Sequence, residues 1–267
     1  METKATKVKI SNGEPVFSKN IYDAILFDLD GVITTTEKIH SACWKKTFDE
    51  FLGARASERG ESFVPFSETD DYLEHVDGRP RYEGVRGFLL SRGIELPEGD
   101  GNSPPGEQSV FGLGNRKNQL FKKTLEKESP GIYETSITLA RRLKEAGFRL
   151  GVVSSSRNCR AVMAAAGIEN LFEVTVDGVT AAEKGLRGKP EPDTFIEAAA
   201  ALGSKPEKSI IIEDAAAGVA AGARGGFGFV IGVARKQNED ELLSNGADVV
   251  VGDLGEFGFG EQRAEEV

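Results

Sequence analysis

The chain has 267 residues, 39% hydrophobic and 28% charged, with a net charge of −10. That is a globular composition at a length suited to one large domain or a core with a smaller companion, and it excludes a disordered or collagen-like chain. The acidic balance argues against nucleic acid or an anionic membrane as the main partner, since both need a basic face.

Two cysteines, Cys43 and Cys159, cannot build a disulfide framework, so a reducing cytoplasm is the expected setting. The first twenty residues carry Lys4, Lys7, Lys9, Glu14 and Lys19 with no apolar stretch of signal-peptide length, and no uncharged run is long enough to span a membrane.

In chain order, AILFDLD (24–30) is a short apolar run closed by acidic residues and Gly31, the pattern of a buried strand that presents polar groups at its carboxyl end. Residues 37–128 hold three helix-like stretches, 41–52, 83–93 and 115–128, with a Gly- and Pro-rich loop at 98–109 and no convincing strand. From residue 134 strands and helices alternate. A helix ends at Gly147 and FRLGVVSSS (148–156) is a strand. Then come a helix at 158–166, a strand at 172–178, a helix at 193–202, a strand at 209–214, a helix at 215–224, a strand at 227–233, a helix at 239–245 and a strand at 247–251. Such alternation implies a parallel sheet with right-handed crossovers, and ligands bind outside the carboxyl ends of its strands. The expected division is an α/β core of residues 1–36 and 130–267 with a helical cap, 37–129, inserted after the first strand. The charged tail EQRAEEV (261–267) is expected to fray.

Four clusters carry chemical potential, and all stand near predicted strand ends. Asp28 and Asp30 in FDLDGV project to the same side of an extended segment. Ser154, Ser155 and Ser156 precede a helix start, where hydroxyls and free amides suit a phosphate. Lys189 is held by Pro190 and Pro192 in GKPEPDTF. Glu213 and Asp214 end an apolar strand. Taken singly, each also suits a plain role: an acidic turn, a helix cap, a solvated lysine, a dipole partner. Brought to one sheet rim, they can hold a hard divalent cation and a phosphoryl group together, and a carboxylate can serve as nucleophile through an acyl phosphate.

In order and on these elements, DLDGV (28–32), VSSS (153–156), GKP (188–190) and EDA (213–215) resemble the four motifs of the haloacid dehalogenase superfamily. Thr36, His40 and Trp44 fall at the spacing of its β-phosphoglucomutase-like branch, as do Gly78 and Arg81, with Arg79 as a competitor. Lys117 and Asn158 match two further positions. Thr35 departs from that branch, which often has an acidic residue there, and the 98–109 loop lengthens the cap.

The resemblance implies a Rossmann-like core of this type and an Mg²⁺-dependent phosphotransferase acting on a sugar phosphate, with conversion of β-glucose 1-phosphate to glucose 6-phosphate the favoured activity and a small-phosphate-ester phosphatase the alternative. It implies Asp28 as nucleophile, Asp30 as general acid/base, and Asp28, the Asp30 carbonyl and Asp214 as metal ligands with Glu213 in support. It further implies Ser154 and Ser155 on the phosphoryl oxygens, Lys189 as the counter-charge, and Thr36, His40, Gly78, Arg81, Lys117 and Asn158 around the substrate. The partner expected is a small phosphorylated molecule, and the enzyme is expected to act as a monomer.

His75, Cys43, Cys159 and Trp44 are expected to be structural. A signalling receiver, which also phosphorylates an aspartate on a parallel sheet, predicts a shorter chain and no helical insert, and nothing is missing from the motifs to suggest a silent binding protein.

Overall fold

The computed structural model describes residues 17–127, 129–235 and 237–257. The expected frayed tail and residues 1–16 of the expected core lie outside them. Six parallel strands form one sheet: β1 (Ala24–Phe27), β2 (Arg149–Val153), β3 (Val174–Val176), β4 (Ser209–Glu213), β5 (Phe229–Val233) and β6 (Val249–Val251), in the order β3-β2-β1-β4-β5-β6. Chain order reverses between β1 and β4, which pair with Phe27 opposite Ile212. A crevice opens at such a reversal, beyond the strand ends.

The strands read as unbroken apolar runs because helices cover both faces. Ile25 and Phe27 of β1 join one buried cluster with Leu150, Val152, Ile210 and Ile212. Ala24 and Leu26 join the opposite one with Val153, Ile211 and Val230. Alternate side chains thus pack to opposite sides of the sheet.

Between β1 and β2 lie α1 (Glu37–Arg59), α2 (Asp70–His75), α3 (Arg81–Ser91), α4 (Val110–Leu125) and α5 (Glu134–Glu145). The first four enclose a third apolar cluster of their own, built on Trp44, Phe48, Phe66, Phe88 and Leu113. Phe48 sits at its centre, 4.2 Å from the Phe88 ring and 5.0 Å from that of Phe66. Cys43 of α1 and Phe121 of α4 instead join the sheet's cluster, so these two helices link the helical segment to the core.

The remaining helices are α6 (Cys159–Ala165), α7 (Gly178–Lys184), α8 (Asp193–Ala201), α9 (Ala216–Arg224) and α10 (Glu239–Ser244). Two helices escape the sequence reading. α2 and α7 are six and seven residues long, no shorter than α10 and α6, but those two fill expected places between successive strands whereas α2 and α7 fall outside the regular alternation. α7 has a local signature nonetheless: the Asp177 carboxylate accepts from the amides of Val179 and Thr180, and Gly185 ends the helix in the left-handed conformation. α1 runs further than its apolar pattern, because ARASER continues a helix at little cost until Gly60, at φ 66°, stops it.

Candidate active site

The four motif clusters meet at the carboxyl ends of β1, β2 and β4. Asp28 follows β1, its amide donating to the Ile212 carbonyl at 2.9 Å. Lys189, on the loop before α8, reaches under it. Its Nζ donates to Asp28 Oδ1, to Glu213 Oε1 at 2.6 Å and to the Val153 carbonyl at 3.2 Å. Glu213 Oε2 accepts from the Ala215 amide at 2.9 Å, so both oxygens of this carboxylate are engaged by the protein.

Asp28, Glu213 and Asp214 each place a carboxylate oxygen within 4.8 Å of the others, all buried. Asp214 lies against the backbone of Gly31, where a Cβ would fall 2.2 Å from Oδ2, and Gly31 also holds φ at 94°. The acidic motif therefore requires glycine for two independent reasons.

Burial drives the Asp28 carboxyl well above its ordinary range; Lys189 opposes this and the neighbouring carboxylates reinforce it. Burial also disfavours the Lys189 ammonium, but Asp28 and Glu213 outweigh it and hold Lys189 above its ordinary value. When all are ionised, three buried carboxylates face one ammonium. The two uncompensated negative charges and the hard oxygen donors suit a divalent cation such as Mg²⁺.

Asp30 faces the other way. Its Oδ1 accepts from Thr36 Oγ1, itself 2.7 Å from Thr34 Oγ1, and its Oδ2 accepts from Ser154 Oγ at 3.3 Å. Burial raises the Asp30 carboxyl, with the Thr36 hydrogen bond working against it. His40 Nε2 stands 3.5 Å from Asp30 Oδ1.

On its other side, His40 Nδ1 is 2.6 Å from Lys117 Nζ, which lies between the Trp44 and Phe121 rings at 5.2 and 4.9 Å from their centroids. Burial and then Lys117 and Arg81 push His40 well below its usual value. Burial, with Arg81, pulls Lys117 down to about 7. A Lys117 ammonium can only donate, so in that state Nδ1 is the acceptor and the imidazole proton is assigned to Nε2, on the Asp30 side.

The helical segment closes over this array. Ser155 Oγ donates to the Gly78 carbonyl at 2.8 Å. Arg81 Nη2 and Asn158 Nδ2 both donate to Asn118 Oδ1 at 2.9 Å, tying α3, α4 and the start of α6 together. Arg81 is half-buried in this seam while Arg79 is exposed, and both arginines of GRPR line the cavity. Asp28, Asp30, Ser154, Glu213 and Asp214 share one cavity with His40, Gly78, Arg81, Lys117, Ser155 and Asn158. Thr36 and Lys189 are held behind it by the bonds above. At about 70 Å³ the cavity has room for a few waters.

Trp44 departs from its expected purely structural place: it packs on Phe48 and also lines the cavity. Cys43 and Cys159 are buried free thiols, both pushed up by burial, as packing residues should be. His75 lies outside the cavity, 3.9 Å from Glu74. Glu37 and Arg157 line the cavity without having been singled out by sequence. A glutamate in a helix's first turn ordinarily reads as a dipole partner, and Arg157 carries no signal beyond its place after the serines.

Among the described residues no helix is long and apolar enough to cross a membrane. Residues 22–226 match the model of the haloacid dehalogenase-like hydrolases. The chain is 44% identical to a β-phosphoglucomutase of Mycobacterium bovis over 237 residues, covering 88% of this chain and 90% of that one. It is 34% identical to the Bacillus subtilis β-phosphoglucomutase, covering 85% and 88%. The crystal structure of a Clostridium difficile β-phosphoglucomutase superposes with a TM-score of 0.69 at 25% identity, covering 90% and 94%.

Proposed function

The chain belongs to the haloacid dehalogenase-like hydrolases, in their β-phosphoglucomutase-like branch, and from that premise we propose that this enzyme is a phosphotransferase acting on a hexose phosphate through an aspartyl phosphate on Asp28. The observation that carries the reading is the pairing of two differently held aspartates. Asp28 is clamped by Lys189 inside the carboxylate cluster, whereas Asp30, two residues on, is turned away to Thr36, Ser154 and His40. On this reading the first attacks phosphorus and the second carries the proton.

In the first half-reaction a carboxylate oxygen of Asp28 forms a bond to phosphorus as the ester P–O bond breaks, and the departing oxygen takes the proton of the Asp30 carboxyl. The raised Asp30 value keeps that proton available at higher pH than an ordinary aspartate would. In the second half, Asp30 takes a proton from an acceptor hydroxyl, which attacks the phosphoryl group and frees Asp28. Ser154 and the Ser155 amide are assigned to the phosphoryl oxygens, Lys189 to the charge on Asp28, and Arg81 and Lys117 to the substrate from the helical side.

Asp28 and Asp214 are the residues assigned to Mg²⁺, with the Asp30 carbonyl as a third donor and Glu213 orienting Lys189 and the Ala215 amide. When bound, the ion neutralises charge on the carboxylates and the phosphoryl oxygens.

Residues 37–129 are assigned to a mobile cap on a core of 1–36 and 130–267. The Ser155–Gly78 and Arg81–Asn118–Asn158 contacts tie the helical segment to the core at the edge of the cavity, and on this reading a hexose phosphate enters as they open. Closure excludes water and favours a sugar hydroxyl as the acceptor, which makes a mutase. A monomer in a reducing cytoplasm is the setting this reading takes, in keeping with two free buried cysteines.

The test is an assay with β-glucose 1-phosphate and a trace of glucose 1,6-bisphosphate. Formation of glucose 6-phosphate supports the mutase. Release of inorganic phosphate alone assigns the site to a phosphatase.

A further inference from the structure

Glu37, in the first turn of α1, is 9% exposed and lines the cavity beside Asp30 and His40. One of its oxygens is firmly held and the other is not. Oε1 accepts from the Tyr133 hydroxyl at 2.9 Å. Oε2 is buried with no hydrogen-bond partner among the described residues.

The side chain holding Glu37 is itself braced. The Arg235 guanidinium lies 3.7 Å from the Tyr133 ring centroid, and Arg235 donates to the Gly31 carbonyl at 3.1 Å, the Gly252 carbonyl at 3.2 Å and Asp253 Oδ2 at 2.9 Å. Burial, and then Glu37 itself, raises the Tyr133 phenol, so it remains a donor throughout the neutral range. A carboxylate fixed at one oxygen and unsatisfied at the other is costly to bury unless something that enters the cavity donates to it.

We propose that Glu37 is a specificity-determining residue whose Oε2 accepts a hydrogen bond from a hydroxyl on the carbon skeleton of the substrate. The proposal rests on the phosphotransferase reading above and deepens it. Phosphate recognition by cations selects any phosphate ester, whereas a fixed acceptor beside Asp30 selects a polyhydroxylated one. It is a site for a donor and repels a second anionic group at that position. Tyr133 and Arg235 act through Glu37 and are positioning residues.

A site built to bond a substrate hydroxyl discriminates strongly against the analogue that lacks it, because the buried acceptor then stays unpaired. For one hydrogen bond to a charged group, the expected discrimination is about 10- to 100-fold in kcat/KM.

The experiment compares glucose 1-phosphate with its monodeoxy derivatives on the wild type, Glu37→Gln and Glu37→Ala, with unfolding curves to verify that each variant is folded. One monodeoxy position should lower the wild-type kcat/KM by about 10- to 100-fold. That preference should collapse to about 3-fold or less in Glu37→Ala and be partly restored in Glu37→Gln, which keeps an acceptor oxygen. Wild-type discrimination that survives intact in Glu37→Ala overturns the proposal, as does a wild type indifferent to every deoxy position.

Hydrolysis of acetyl phosphate by the wild type, lost in Asp28→Asn, reports the underlying reading separately. If acetyl phosphate is consumed but no deoxy position depends on Glu37, only the hydroxyl assignment falls. If neither acetyl phosphate nor any sugar phosphate is turned over, the reading falls and takes the assignment with it.

Discussion

Replacing Lys117 by Met isolates what the enclosed cation costs the fold. Met has a similar stem length and suits the space between Trp44 and Phe121. The ammonium's value falls from 10.5 to about 7, chiefly through burial, and at about 1.36 kcal/mol per unit this corresponds to about 5 kcal/mol. The cost is fully present below pH 7, where the folded chain must bury a charged lysine. Between pH 7 and 10.5 the unfolded chain binds more protons than the folded one, so stability rises with pH and the cost disappears near the upper limit.

Met also forfeits the contact with His40 Nδ1, at roughly 1 kcal/mol. Lys117→Met is therefore expected to be more stable than the wild type at pH 6 by about 4 kcal/mol, about 8–16 °C in melting temperature, with the gain shrinking steadily toward pH 10. Urea unfolding of both proteins across that range measures it, and kcat/KM should fall at the same time by about 100-fold if the residue meets substrate. A gain that does not vary with pH, or a loss of stability at pH 6, would refute the reasoning that burial lowers Lys117.

Gly31→Ala should cost about 1–3 kcal/mol for its left-handed backbone alone, and should also displace Asp214, so thermal unfolding and Mg²⁺ titration are both expected to report damage. EDTA should abolish turnover and Mg²⁺ restore it. Saturating Mg²⁺ at about 100 times its dissociation constant should stabilise the wild type by roughly 2.7 kcal/mol, an increment read by calorimetry that Asp214→Asn should lose.

The sheet was legible because five-residue strands such as β2, β4 and β5 are buried on both faces and read as apolar runs, and because the segments between successive strands had to be helical crossovers, which located even the short α6 and α10. α2, inside the helical segment, and α7, capped by Asp177 in the long β3–β4 connection, have no such place in the alternation.

Site residues at strand ends were legible for the same reason as the strands: Asp28, Ser154 and Glu213 each follow a run that has to stop at the sheet's rim. The rest depends on contacts between distant parts of the chain. His40 and Lys117 touch across 77 positions, and only their register with the family pointed to either. Glu37 owes its place to Tyr133 and Arg235, 96 and 198 residues further along, and nothing near Glu37 in the chain announces them. Sequence spacing also could not show that Arg81 bonds Asn118 across 37 positions while its neighbour Arg79 stays exposed at the same cavity.

The most direct test is of covalent chemistry at Asp28. The enzyme is mixed with Mg²⁺ and glucose 1,6-bisphosphate or acetyl phosphate, quenched in acid within milliseconds, and mapped by peptide mass spectrometry. The expected result is a phosphoryl group on the peptide bearing Asp28, labile to hydroxylamine, formed as fast as turnover requires and absent from the folded Asp28→Asn protein. Turnover by Asp28→Asn, or a phosphoryl group that accumulates only on another residue, would contradict it.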